Sequence, residues 1–238
     1  KFLKSDIFDQ LNNGKQSCNL IWYAVTGGVL IVTAVVLISV TVTVWNTQNQ
    51  SMEAEEETEE LFINESWYVP RSVWHAKNPV KRDLLHLPVD YLSVCHTVSK
   101  PYNDSDSCTN YIVGLQMDSM HIQELPDIPF NYLVCGNGHI YEGTGSNAIG
   151  SHTYGINFNS IGLGFIGDYS RRDFLNDQQI ENAQLLLSIL VNKGKLSPDY
   201  KLIPSESVNA LDSPGKNIIN VIKNWDHYQY GLSPKKTF

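Results

Sequence analysis

The stretch "DIPFNYLVCGNGHIYEGTG", residues 127–145, decides the fold class. Two short runs that are mostly apolar, 131–135 and 139–143, stand on either side of Gly136-Asn137-Gly138. Glycine and asparagine are typical of the tight turns that join paired strands, because they accept a positive φ. The stretch therefore predicts a β-hairpin within a sheet.

Further strands and helices are predicted on both sides of this hairpin. Apolar runs predict strands over 91–97 and 160–167. Apolar residues at helical spacing predict helices over about 107–120 and 177–192. Strands that interleave with helices indicate an α/β domain, with a central mixed β-sheet flanked by helices.

The helix ends also have sequence signals. Asn176 or Asp177 is the expected N-cap of the second helix, and Gly194 ends it. A third helix is predicted to begin at Ser213 as N-cap, with Pro214 in the first helical position.

The N-terminal part of the chain has the composition of a membrane anchor. Residues 20–44 contain no charged residue, and a helix needs about 20 apolar residues to cross a bilayer. Trp22, Tyr23 and Trp45 stand near the two ends, where aromatic belts lie. A secretory signal peptide is the alternative, but its apolar region is shorter. We therefore predict one transmembrane helix.

This helix divides the chain into four parts. Three lysines precede it and six glutamates follow it between Glu53 and Glu60, so the positive-inside rule places the N-terminus in the cytoplasm. The prediction is a single-pass type II protein of the plasma membrane. Its parts are a cytoplasmic tail (1–19), the transmembrane helix (20–45), an acidic stalk (46–66) and an extracellular domain (67–238).

The charge balance and three short motifs agree with this topology. The net charge is −8. No segment has the cluster of lysines and arginines that is typical of a nucleic-acid-binding surface. Three sequons for N-glycosylation fall on the predicted outer side, at Asn49, Asn64 and Asn103.

Five segments of the extracellular domain form a recognisable series. They are "RSVW" (71–74), "VCHT" (94–97), the opening stretch (127–145), "GSHTYGIN" (150–157) and "SIGLGFIGDY" (160–169). In this order they resemble the peptidoglycan recognition proteins, relatives of zinc-dependent N-acetylmuramoyl-L-alanine amidases. The resemblance covers about residues 67–225. Within the family, the chain is similar to the long, membrane-anchored insect members. It implies the family's fold and a role in innate immunity.

The resemblance also implies that the zinc site of the related enzymes has been replaced. Their three zinc ligands fall on Cys95, Ser205 and Ser213, and their catalytic tyrosine and threonine fall on Phe130 and Leu211. A catalytic zinc needs three protein donors, usually histidine nitrogen, cysteine sulfur or carboxylate. We therefore expect a chain that is not an enzyme and holds no metal or other cofactor.

A ligand groove is implied as well, with several positions changed. The family's groove histidine falls on Ser119, and Tyr141 and Glu142 are expected to support the sheet. Arg171 or Arg172 is a candidate guanidinium donor to a ligand carboxylate. The candidate groove residues are His96, Thr97, Phe130, Thr144, Gly145, Ser146, His152, Thr153, Asn157 and Arg171.

The cysteines leave alternatives open. A different metal site from Cys95, His96 and His152 is disfavoured, because neighbours on a strand point to opposite faces. Relatives have a disulfide whose second member matches Cys108, but a tyrosine, Tyr102, stands at the first. Strand neighbourhood instead permits a Cys95–Cys135 bond, which leaves Cys108 free or bridging two chains.

Four functions are compatible with these observations. The first is a receptor or co-receptor that binds peptidoglycan fragments, or another receptor of the family, and signals by clustering. The second is a regulatory member that binds no muropeptide and acts by pairing with other receptors or signalling adaptors. A zinc amidase is the third, against which the ligand losses argue, and a carbohydrate-binding adhesion module is the fourth.

Overall fold

A six-stranded mixed sheet forms the centre of the domain. The computed structural model describes residues 28, 33–48, 61–209 and 212–232. In the described residues the strand order is β1-β4-β3-β5-β2-β6. Among the named strands of the described residues, β3 and β4 are the one antiparallel pair, which confirms the predicted hairpin. The strands are β1 (Tyr68–Val69), β2 (Val89–His96), β3 (Tyr132–Val134), β4 (Ile140–Glu142), β5 (Ser160–Phe165) and β6 (Leu196–Pro204).

Helices cover both faces of this sheet. They are α1 (Ser105–His121), α2 (Asp177–Asn192) and α3 (Lys216–Ile222). Leu186 of α2 and Ile218 of α3 lie in the core on one face. Ile112 of α1 packs with Trp74 in a second core on the other face. The predicted mixed α/β architecture is therefore confirmed.

The observed start of α2 agrees with the start predicted from the sequence, but the observed start of α3 does not. The Asn176 side chain caps α2 in a reciprocal pair with Gln179, as predicted. Helix α3 begins after Gly215, whose φ of 87° is not helical. The Ser213 hydroxyl does not cap α3, because it accepts a hydrogen bond from the backbone N–H of His96 instead.

Two strands were not predicted from the sequence. β1 pairs with β4. It has two residues, and a strand of that length gives no periodicity signal in the sequence. β6 contains Pro198 and exposed Asp199 near its start, so its first half does not read as a strand.

The disulfide joins Cys108 to Cys135, while Cys95 is free and buried. The alternative Cys95–Cys135 bond is wrong, because β5 lies between β2, which carries Cys95, and β3. Cys108 is therefore neither free nor bridging two chains. Its disulfide links the N-terminal end of α1 to the hairpin.

Replacing Cys108 and Cys135 together with serine is expected to lower the free energy of unfolding by about 3.5 kcal/mol. The two cysteines are 27 residues apart, and a cross-link of that span removes entropy from the unfolded chain by about this amount. Urea unfolding measures the loss. Cys95→Ser is the matched control, since it removes a buried thiol and keeps the disulfide. Equal stability of both variants would contradict the prediction.

The chain divides into two compact units, 1–58 and 59–238. In the first unit the structure describes Gly28 and a helix over 33–48. The described part of the chain contains no helix long and apolar enough to cross a membrane. The predicted tail, much of the predicted span and Glu53–Glu60 lie outside the described residues.

Candidate functional site

The candidate site lies on one face of the central strands β2 and β5. Two glycines of β5 open this face. A Cβ on Gly162 would lie 2.3 Å from the His152 ring, and a Cβ on Gly164 would lie 2.9 Å from the Phe130 ring. The Ser-Ile-Gly-Leu-Gly sequence therefore makes room for two rings that a larger side chain would displace.

Cys95 lies beside this surface, paired in register with Gly164 of β5. It is 2% exposed, and its thiol lies 3.7 Å from the Thr153 hydroxyl and 4.0 Å from the Ser93 hydroxyl. The N–H of His96, the residue after Cys95, donates to Ser213 Oγ, and Ser205 Oγ donates to the carbonyl of Ser213. The structure thus brings together the three positions onto which the resemblance places the zinc ligands. Burial raises the pKa of the Cys95 thiol above its ordinary value, so the group stays protonated near neutral pH.

These three side chains do not fit a zinc ion. Ser205 Oγ donates to the backbone carbonyl of Ser213 at 2.7 Å, and Ser213 Oγ accepts from the N–H of His96 at 3.1 Å. One protonated thiol and two neutral hydroxyls do not replace three zinc donors. In the described ranges, no group of three His, Cys, Asp or Glu side chains is placed to hold a metal.

His96 is buried and joins two backbone segments. Its Nδ1 accepts from the N–H of Tyr169 at 3.1 Å, so its Nε2 carries the proton. Nε2 then donates to the carbonyl of Asp212 at 2.8 Å. Because both ring nitrogens are used within the protein, His96 has a structural task here.

A second polar cluster fixes the loop that follows β4. The Thr153 hydroxyl lies 2.7 Å from Ser93 Oγ and 3.1 Å from His152 Nδ1. The Asn157 side chain accepts from the N–H of Thr153 at 2.7 Å. Three candidate groove residues are therefore held in one internal network.

The stability of the protein is expected to fall on mild acidification because of His152. Burial lowers the pKa of His152 to about 3, whereas an unfolded histidine has a pKa of about 6.5. Between these values the unfolded chain binds a proton that the folded chain does not, so stability decreases as the pH falls from about 6.5 toward 3. The loss by about pH 5 is roughly 2 kcal/mol.

Urea unfolding at about pH 7 and pH 5 tests this. His152→Gln is expected to lower the free energy of unfolding at the higher pH. It is also expected to reduce the change in that free energy between the two pH values. His121→Gln, at an exposed position in the last turn of α1, is the control and should keep the dependence. An unchanged slope in His152→Gln would contradict the assignment.

The remaining candidate residues differ in exposure. Thr97 is partly exposed and accepts from the N–H of Gly167 at 3.2 Å, while Arg171 is exposed. Ser119 is fully buried on α1, and Leu211 lies outside the described residues. The buried candidates are Phe130, Thr144, Gly145 and Ser146. Their role in a ligand groove stays a prediction.

The sequence reading missed a network that anchors the "RSVW" segment. Arg71 Nη1 lies 2.9 Å from Asp127 Oδ2, and the Arg71 N–H donates to Glu142 Oε2 at 3.1 Å. Trp74 Nε1 donates to the carbonyl of Glu142 at 2.8 Å. A cavity of about 690 Å³ borders this network and includes Thr144 among its walls. The sequence signal that could have indicated this network is the presence of an arginine and a tryptophan in one short motif.

Comparisons with known proteins agree with this geometry. Residues 85–221 match the family model described as N-acetylmuramoyl-L-alanine amidase. The peptidoglycan recognition protein of Trichoplusia ni is 31% identical over 160 residues, which cover 67% of this chain and 87% of the relative. The chain belongs to the peptidoglycan recognition protein family. The resemblance to this family is thereby confirmed, and the membrane-anchored type stays a prediction.

Other members differ in length and in what their structures contain. Peptidoglycan recognition protein 3 of Mus musculus is 34% identical over 161 residues, and this chain spans 46% of its length. The crystal structure of peptidoglycan recognition protein-LE with tracheal cytotoxin has a TM-score of 0.67 and 32% identity, covering 70% of this chain and 98% of that one. The LCa–LCx ectodomain complex with tracheal cytotoxin has a TM-score of 0.66 and 31% identity, covering 68% of this chain and 98% of that one.

Proposed function

We propose that this chain is a non-catalytic, membrane-anchored receptor or co-receptor of innate immunity. It senses peptidoglycan fragments, or it modulates the signalling that they trigger. The observation that carries the non-catalytic part is the donor set at Cys95, Ser205 and Ser213. A zinc-bound water needs a metal, and these positions supply no donor set for one. Phe130, at the position of the catalytic tyrosine, has no hydroxyl to assist.

The helix over 33–48 supports the membrane anchor. Apolar side chains such as Leu37 and Ile38 are more than 60% exposed. Its hydroxyls bond to the helix itself: Ser39 Oγ donates to the carbonyl of Val36 at 2.8 Å, and Thr43 Oγ1 to that of Ser39 at 2.8 Å. A segment in lipid has no water to satisfy polar groups, so internal bonds of this kind suit it.

The type II orientation at the plasma membrane remains part of the proposal. It rests on the lysines before the predicted span and on the sequons after it. Asn64 and Asn103 are exposed, as glycosylation requires, and Asn49 lies outside the described residues. Glycosylation of these asparagines is proposed on the same grounds.

The ligand class is proposed from the relatives. Solved structures of peptidoglycan recognition protein-LE and of the LCa–LCx pair contain tracheal cytotoxin, a monomeric diaminopimelic acid-type peptidoglycan. Arg171 is exposed and is the proposed partner of a ligand carboxylate.

Calorimetry with the unit 59–238 tests direct sensing. Diaminopimelate-type and lysine-type muropeptides are titrated side by side, and Kd values of micromolar or tighter are expected for one of them. Arg171→Ala should weaken that binding by about tenfold, the value of one charge-assisted contact. Arg172→Ala is the matched control, because Arg172 lies 3.6 Å from Asp168 in a surface pair.

A regulatory role without ligand is the second candidate. The burial of Thr144, Gly145 and Ser146 favours it, since these candidate groove residues offer little surface to a muropeptide. Absence of binding to either stem type would support this role, and the partner would then be another receptor of the family. The LCa–LCx ectodomain complex is a precedent for such pairing among relatives.

A further inference from the structure

Three segments of the chain meet at the positions onto which the resemblance places the zinc ligands. They are the end of β2 at Cys95 and His96, the short turn Ser205–Ser207 after β6, and Ser213 before α3. A metal bound at the three matching positions would join these segments. Because the residues here do not fit a metal, another interaction must hold them together.

Hydrogen bonds connect the two ends of the 205–213 connection directly. The carbonyl oxygen of Ser213 accepts from Ser205 Oγ at 2.7 Å. The same oxygen accepts from the backbone N–H of Glu206 at 2.7 Å. This carbonyl is therefore held from two sides by the turn that follows β6.

The same connection is also bonded to β2. Ser213 Oγ accepts from the N–H of His96 at 3.1 Å, and the carbonyl of Asp212 accepts from His96 Nε2 at 2.8 Å. The N–H of His96 is a buried backbone donor, which costs free energy if it has no acceptor. The Ser213 hydroxyl supplies that acceptor.

We infer that these bonds form a metal-free latch. The latch consists of Ser205, Ser213 and His96, and it fastens the turn Ser205–Ser207 and the pair Asp212 and Ser213 onto the end of β2. Hydrogen bonds therefore join these segments at the positions onto which the resemblance places metal ligands. This inference goes beyond the proposed function and does not depend on any ligand.

Cys95 reports whether the latch is closed. It is 2% exposed and directly precedes the latch residue His96 at the end of β2. In the unit 59–238 it is the one cysteine outside the disulfide. Alkylation of the thiol requires the latch to open, so the labelling rate measures the population of the open form.

Iodoacetamide labelling of the native full-length chain tests the latch, with Cys95 followed by mass spectrometry of its peptide. Ser213→Ala leaves the N–H of His96 without its acceptor, and labelling is expected to be about tenfold faster. Ser205→Ala removes one donor, and roughly fivefold faster labelling is expected. Neither excess zinc nor a chelator should change the rate of the unchanged chain.

Ser207→Ala is the matched control. Ser207 lies in the same turn, but its hydroxyl donates to the carbonyl of Pro204 at 2.6 Å and not to the latch, so labelling should stay within about twofold. Ser213→Thr keeps the hydroxyl and should keep labelling slow, which separates loss of the latch from general damage at this position. Labelling of Ser213→Ala at the control rate would overturn the inference, as would faster labelling of the unchanged chain in a chelator.

Discussion

The variant carrying Cys95→His, Ser205→His and Ser213→Cys together is expected to retain one zinc ion per chain after gel filtration. The unchanged chain is expected to retain none. The physical reason is convergence, since Ser213 Oγ accepts from the N–H of His96, the residue after Cys95, and Ser205 Oγ donates to the carbonyl of Ser213. Two imidazoles and a thiolate are a donor set that zinc prefers, with water as the fourth ligand. Elemental analysis of dialysed protein gives the stoichiometry.

Cys95→His alone is the control for this prediction. It adds one donor, leaves two hydroxyls, and should retain no zinc. A folded triple variant without zinc would contradict the convergence of the three positions. Stoichiometric zinc in the unchanged chain would contradict the argument from donor chemistry. The zinc-loaded variant is still expected to lack amidase activity, because the resemblance places Phe130 and Leu211 at the positions of the catalytic tyrosine and threonine.

Gly143→Ala is expected to lower the free energy of unfolding by about 3 kcal/mol, at the upper end for overpacked sites. An added Cβ would lie 2.0 Å from the carbonyl oxygen of Phe130. The backbone cannot move away easily, because the N–H of Gly143 donates to the carbonyl of Asn131 at 2.8 Å and the N–H of Thr144 donates to that of Phe130 at 2.9 Å.

Gly114→Ala is the control for the same substitution in open space. Gly114 lies within α1, and an added Cβ would have no neighbour within 4 Å. Alanine favours a helix over glycine by up to about 1 kcal/mol, so this variant should be more stable than the unchanged chain. Urea unfolding compares the two. Equal effects of the two changes would contradict the close approach at Gly143.

The main elements of the fold could be predicted because their signals are local. The turn at Gly136-Asn137-Gly138, the periodicity of α2 and its cap at Asn176 each lie within a few residues. The start of α3 could not be predicted, since it depends on the hydroxyl of Ser213 bonding to β2 rather than to the helix. The partner of Cys135 depended on strand order, which places β5 between β2 and β3.

The exposure of the candidate site residues could not be predicted. The resemblance places the zinc-ligand positions on Cys95, Ser205 and Ser213, and the structure brings these residues close to one another. The burial of His96 and Thr153 could not be predicted from the sequence. It depends on which face of the sheet each side chain occupies and on what covers that face. The Arg71–Asp127 pair joins segments far apart in the sequence, so no local pattern indicates it.

The proposed receptor has no amidase activity, and incubation with a muropeptide checks this. The protein is incubated with zinc and a defined diaminopimelate-type muropeptide, and the mixture is followed by mass spectrometry. Hydrolysis of the muropeptide is expected to be no faster than in the protein-free control, even at stoichiometric protein. Release of the free stem peptide above that control, abolished by a chelator, would show that the chain is an amidase and not the proposed receptor.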